Sequence, residues 1–218
     1  MKVSLNQKIL SRNEEAAAKN RQFFAEHKVF CLNVISSPGA GKTALLERTI
    51  RDLKGQYAIG VIEGDIETDN DARRIQAAGA RAFQIETKGA CHLSAEQVQN
   101  ALKMIDAQTL DLVFIENVGN LVCPSAFDLG ESGRVVILSV PEGDDKPAKY
   151  PGTFAGASVI VLNKIDLLPY VPFDLSRVLA DIHTVNPQAP VLQLSAATGE
   201  GIDAWYDWLR RHLEKKQP

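Results

Sequence analysis

The run Ser36-Ser37-Pro38-Gly39-Ala40-Gly41-Lys42-Thr43 has the residue types and spacing of a loop that wraps phosphate groups. Gly39 and Gly41 let backbone N–H groups converge on anionic oxygens, and the N-terminus of a following helix adds partial positive charge. Lys42 is spaced to reach the β and γ phosphates of a nucleotide, and the Thr43 hydroxyl to ligate Mg²⁺. Pro38, Ala40 and Ala44 supply the rest of the cradle. The strict pattern has glycine where this chain has Ser36. The flanks suit the motif: the apolar run Val29–Ile35 reads as a strand entering the loop and Ala44–Leu53 as a helix leaving it.

A second motif reads a base. Asn163-Lys164-Ile165-Asp166 follows the apolar run Ala157–Leu162. The Asp166 carboxylate suits the N1–H and exocyclic amine of guanine, a donor pair adenine lacks. Asn163 is suited to N7 and to bracing the loop, and the Lys164 stem to lying over the ring. Ser195-Ala196-Ala197 follows Val191–Leu194, with backbone N–H groups that can approach the guanine O6. The tetrapeptide alone is weak, but its place between the phosphate loop and Ser195 predicts a GTP-binding domain.

Two acidic strand ends extend that expectation. Glu63-Gly64-Asp65 and Glu116-Asn117-Val118-Gly119 each follow an apolar run. Asp65 and Glu116 are expected on the Mg²⁺ side beside Thr43, and with Lys42 they form the expected catalytic set. Glu63 is open between that role and a simple turn. The Gly119 amide can meet the γ-phosphate, an interaction that hydrolysis removes. Asp65 or Asp69 is a candidate to orient water. No Gln or Arg finger is evident, which predicts slow hydrolysis stimulated by a partner or by dimerisation.

Cys91 and His92 are adjacent, and Cys123 lies four residues past Gly119. Thiolate and imidazole ligands suit Ni²⁺ and Zn²⁺ alike. Three ligands leave a four-coordinate site incomplete, so cysteines of a second chain on a two-fold axis are expected to complete it. Cys31 lies inside the first strand and reads as core, and His27, His183 and His212 lack ligand spacing.

The chain has 218 residues, a net charge of −3 and three cysteines. That predicts one α/β domain without disulfides, in a reducing cytoplasm and without a nucleic-acid partner. No apolar run approaches the roughly 20 residues of a membrane span, and no signal peptide is read. Strand runs Tyr57–Ile62, Ala82–Ile85, Leu112–Ile115 and Val135–Val140 join those above. Helical patterns Asn70–Ala78, Leu93–Ile105, Asp174–Val185 and Ile202–Leu213 alternate with them, and Ser94 with Gln97 forms a candidate capping box. The alternation predicts a P-loop α/β fold, a mostly parallel sheet with helices on both faces. Residues 29–218 form that domain. Residues 1–28 are a lead-in, with an amphipathic helix over 5–27 whose apolar side is Ile9, Ala16, Phe23 and Phe24, packed on it.

Together SSPGAGKT, EGDIETDNDARR, Cys91-His92-Leu93, ENVGNLVCP, EGDDKP, NKIDLLP and SAATGEG resemble the hydrogenase nickel-insertion GTPases called HypB, of the SIMIBI class, over residues 5–215. The resemblance implies a GTP-switched metallochaperone that delivers nickel to the maturing large subunit of [NiFe] hydrogenase. It also implies GTP-dependent homodimerisation and cooperation with HypA, a small zinc-containing nickel chaperone. By the same resemblance Lys146 contacts the nucleotide of a neighbouring chain. Neither the Cys-rich motif nor the His-rich stretch of some members is read here, so no separate nickel store is expected. Two alternatives stand: a urease-type nickel-insertion GTPase, whose metal motif runs Cys-Pro-His, and a signalling or translation GTPase with passive cysteines.

Overall fold

All residues of strand β1 (Phe30–Ser36) are buried, the signature of a strand covered on both faces. Its side chains alternate between two cores. Phe30, Leu32 and Val34 pack with Leu45, Leu46 and Trp205 on one side, while Cys31 packs with Phe24, Val98 and Ile115 on the other. A computed structural model describes residues 5–65 and 70–215 of the chain, with side chains for 10–64 and 70–215. The remaining strands are β2 (Ile59–Asp65), β3 (Arg81–Glu86), β4 (Leu112–Glu116), β5 (Gly133–Ser139), β6 (Val159–Asn163) and β7 (Val191–Gln193). They form one sheet in the order β3-β2-β4-β1-β5-β6-β7, and every pairing is parallel.

A parallel sheet sends the C-terminal ends of its strands to one edge, where α/β folds bind ligands. The loop after β1 holds Pro38–Thr43, the one after β3 holds Cys91 and His92, and the one after β4 holds Gly119 and Cys123. The loops after β6 and β7 hold Asp166 and Ser195.

Helices α1 (Leu5–Glu26), α2 (Lys42–Leu53), α3 (Asn70–Ala78), α4 (Ala95–Met104), α7 (Leu175–Val185) and α8 (Ile202–Glu214) lie close to the expected bounds. Two short helices, α5 (Lys146–Lys149) and α6 (Pro151–Ala155), fall where the sequence reads as loop; five residues are too few for a 3.6-residue period to emerge. The capping box at α4 forms, with Ser94 Oγ accepting from Gln97 N. On α1, Ala16 and Phe24 are buried and Phe23 is partly so; the Ile9 side chain lies outside the described residues. Two asparagines share the buried face. Asn20 Nδ2 donates to the carbonyls of Ala95 and Leu129. Asn13 accepts from Ala95 N and donates to the Asp128 carbonyl. Among the described residues no helix is long and apolar enough to cross a membrane.

Helix α8 closes the first core. The fully buried Trp205 donates its indole N–H to Thr49 Oγ1 at 2.9 Å. Thr49→Val keeps the shape but leaves that donor without its acceptor. Urea unfolding should show a loss of about 1–3 kcal/mol; an unchanged midpoint would argue that the bond contributes nothing.

Candidate nucleotide cleft and metal cluster

The phosphate loop is held by its own side chains. Lys42 Nζ donates to Ser36 Oγ at 3.1 Å, and Ser36 Oγ donates to the Ser37 carbonyl at 2.7 Å. The serine at the strict motif's glycine position therefore tethers the lysine. Gly39 and Gly41 have φ of 76° and 96°. A Cβ on Gly41 would stand 2.5 Å from Asn163 Nδ2, so glycine is what lets the phosphate and base loops meet. Helix α2 begins at Lys42 without a side-chain cap, leaving its first N–H groups for an anion. A cleft of about 420 Å³ opens there, lined by Pro38, Gly39, Gly41, Lys42, Thr43 and Ala44. Ala40 is buried behind them. Gly119 faces the same cleft, so close to Pro38 that a Cβ would stand 3.0 Å from its Cα.

Carboxyl groups occupy the far wall. Thr43 Oγ1 donates to Glu116 Oε1 at 2.8 Å. Glu63, opposite Glu116 in the β2–β4 register, is 3% exposed and Glu116 4%. Glu63 Oε1 and Glu116 Oε2 receive no hydrogen bond from the described residues. Burial, then the Glu116 charge, pushes the Glu63 carboxyl up to about 10. Burial likewise raises Glu116, opposed by the Lys42 charge. Two carboxyls and a hydroxyl are a hard-oxygen set that fits Mg²⁺. The Asp65 side chain and all of Asp69 lie outside the described residues. Asp71 and Arg74 of α3 also line the cleft, and Arg74 is paired with Glu47 and Asp71. Sequence reading passed them over. Their three-residue spacing puts them on one helix face, but only a packed α2–α3 pair turns that face toward the phosphate loop.

At the base loop, Asn163 is a brace. Its Nδ2 donates to the Ala40 carbonyl at 2.8 Å, and its Oδ1 accepts from Lys164 N and Ala196 N. Lys164, with φ of 63°, sends its Nζ to the Gly39 carbonyl at 2.6 Å. Asp166 is half-buried, and its Oδ1 receives no hydrogen bond from the described residues. That unpaired acceptor fits a donor such as guanine. The Ser195 amide is donated to the Glu200 carbonyl and the Ala196 amide to Asn163, so these two amides shape the loop. Lys146 is half-buried at the start of α5.

The sulfur or ring-nitrogen atoms of Cys91, His92 and Cys123 lie within 4.8 Å of one another. Cys91 and Cys123 are half-buried, whereas Cys31 is buried. The turn before Cys91 needs left-handed backbone at both Lys88 and Gly89. His92 stacks on Phe127, with ring centroids 3.8 Å apart, and burial lowers its pKa. The adjacent Cys123 sulfur raises the Cys91 thiol, as does burial. A neutral imidazole beside two thiols is a fitting donor set for a borderline-soft divalent cation.

The pattern of the family described as CobW/HypB/UreG, nucleotide-binding domain, matches residues 31–193. The hydrogenase maturation factor HypB of Rhizobium leguminosarum bv. viciae is 53% identical over 207 residues, 95% of this chain and 69% of that protein. The chain belongs to the HypB family. The structure of HypB from Archaeoglobus fulgidus superposes with a TM-score of 0.88 at 40% identity, covering 94% of this chain and all of that one. HypB from Helicobacter pylori in complex with nickel gives 0.89 at 36%, covering 94% and 96%. The HypB fold is thus a P-loop domain of the GTPase type, as the strand order and cleft describe.

Glu63 holds its proton in the fold and releases it near 4.5 when unfolded. Its contribution to stability is therefore full at low pH and lost as pH rises toward 10. Glu63→Gln removes that loss. In nucleotide-free, Mg²⁺-free protein, the variant should gain in melting temperature over the parent between pH 5 and pH 9. A gap independent of pH would contradict the protonated carboxyl.

Proposed function

We propose that this chain hydrolyses GTP to GDP and phosphate and couples that reaction to delivery of nickel for maturation of [NiFe] hydrogenase. One observation carries the reading: a single loop after β4 bears Gly119 against the phosphate loop and Cys123 in the thiol–imidazole cluster. Four residues span at most about 14 Å.

In this reading the amides of residues 38–44 hold the phosphates and Lys42 neutralises charge on the β and γ groups. Thr43, Glu116 and Asp65 hold Mg²⁺, which when bound neutralises charge on the leaving β-phosphate. Water oxygen bonds to the γ-phosphorus, the bond to the β-bridging oxygen breaks, and a water proton ends on phosphate. With the γ-phosphate gone, the Gly119 amide has no anion to hold it, and the loop bearing Cys123 moves. Asp166 selects guanine, Lys164 covers the ring, and Asn163, Ser195 and Ala196 shape the base site.

Cys91, His92 and Cys123 hold Ni²⁺ or Zn²⁺, with cysteines of a second chain completing the set in a GTP-dependent homodimer. Lys146 reaches the partner's nucleotide there. HypA cooperates in the delivery, and the hydrogenase large-subunit precursor receives the nickel. The similarity to a nickel-bound HypB supports nickel as cargo.

Asp166→Asn should weaken GTP and favour xanthosine triphosphate, whose ring carbonyl replaces the amine; equilibrium titration with both nucleotides decides this. Unchanged GTP preference would count against Asp166 as the base reader. Cys91→Ala, His92→Ala and Cys123→Ala should each lose Ni²⁺ yet bind GTP. Sedimentation with GDP or a non-hydrolysable analogue, with and without Ni²⁺, should show a dimer only with the analogue. A monomer that holds one Ni²⁺ at full affinity would place the site within one chain.

A further inference from the structure

The metal cluster and the nucleotide cleft share a buried polar connection besides the loop between Gly119 and Cys123. Asn117 is 1% exposed, and both ends of its side-chain amide are hydrogen-bonded. Its Oδ1 accepts from Val118 N at 3.0 Å, next to Gly119, and from Leu93 N at 3.2 Å, next to His92. Its Nδ2 donates to Asn33 Oδ1 at 3.1 Å. The chain continues away from the cleft: Asn33 donates to Glu131 Oε1, which also accepts from Arg134 Nε at 2.7 Å. Arg134 in turn donates to the carbonyls of Ser125 and Phe127. Phe127 is the ring stacked on His92. The network therefore grips the His92 loop at Leu93 and braces the ring that packs against His92.

We propose that Asn117 is a positioning residue through which the nucleotide site and the Cys91–His92–Cys123 cluster sense one another. The physical reason is that one carbonyl oxygen serves two loops. A shift of the Val118–Gly119 backbone toward or away from a γ-phosphate changes the geometry of one bond at that oxygen. The buried amide cannot rotate to follow without leaving Asn33 or Leu93 unpaired, which is costly in the interior. The shift is thus passed to Leu93, and from there to His92. Arg134 holds Ser125 and Phe127 fixed, so His92 moves relative to Cys123 rather than with it.

This rests on the reading that nucleotide state and metal affinity are coupled. Ni²⁺ affinity is measured by titration with GDP and with a non-hydrolysable GTP analogue, in the unaltered chain and in Asn117→Ala. Coupling is expected to be at least about fivefold in the unaltered chain and within about twofold of unity in the variant, whatever happens to either affinity alone. Equal affinities in the unaltered chain overturn the coupling and the relay together. Coupling that survives Asn117→Ala overturns the relay alone. A variant-free arm guards against misfolding. In the metal-free unaltered chain, exchanging GDP for the analogue should change hydrogen-exchange protection of the Leu93 amide. Protection that stays the same refutes the relay.

Discussion

The position of β4 between β1 and β2 is the constraint on which the rest of this molecule depends. Parallel pairing places Val34 beside Glu116 and Glu63 beside Glu116. The phosphate loop, the carboxyl wall and the Gly119 loop are consequently fixed by backbone hydrogen bonds of three adjacent strands. The Thr43–Glu116 bond and the close approach of Gly119 to Pro38 follow from that register rather than from any long-range side-chain search. A single-residue slip of β4 would turn Glu116 to the opposite face of the sheet.

Much of this was legible in the sequence because the motifs sit at the ends of apolar runs, and strand ends share one rim in a parallel sheet. Val29–Ile35, broken only by Asn33, and Leu112–Ile115 are short apolar runs of the kind a strand covered on both faces requires, and both formed within a residue or two of the expected bounds. The Ser94–Gln97 capping box was equally readable, since it is a local exchange of hydrogen bonds. Glu63 was not. Its role depends on which strand lies beside β2, and strand order leaves no trace in local pattern. Asn13 and Asn20 escaped for a related reason. Asparagine on a helix reads as solvent-facing, and here its amides meet carbonyls about a hundred residues away.

Those two asparagines bear on the site as well as the fold. Ala95 opens α4 three residues after His92, and Leu129 follows the Cys123 turn. One helix face therefore holds the outer ends of both loops that carry the Cys91–His92–Cys123 cluster, with the Arg21–Asp128 ion pair at its rim. The exposed ion pair adds little; the buried amides matter, because removing either leaves a carbonyl or amide without its partner. The two loops are thus pinned at their outer ends by one helix.

The nucleotide cleft and the metal cluster share a principle. Each brings two acidic groups together where a second negative charge is expensive: Glu63 beside Glu116, chiefly through burial, and Cys91 beside Cys123, chiefly through the hydrogen bond between the sulfurs. A cation bound at either place would reverse that cost, and the proton would leave as it entered. The difference lies in donor softness. Oxygen donors with Lys42 at hand suit a hard ion bound together with phosphate, whereas thiols with a neutral imidazole suit a softer ion that binds without one. Two cations would therefore find separate ligand sets on one rim of the sheet, and in the proposed function the loop from Gly119 to Cys123 is what joins them.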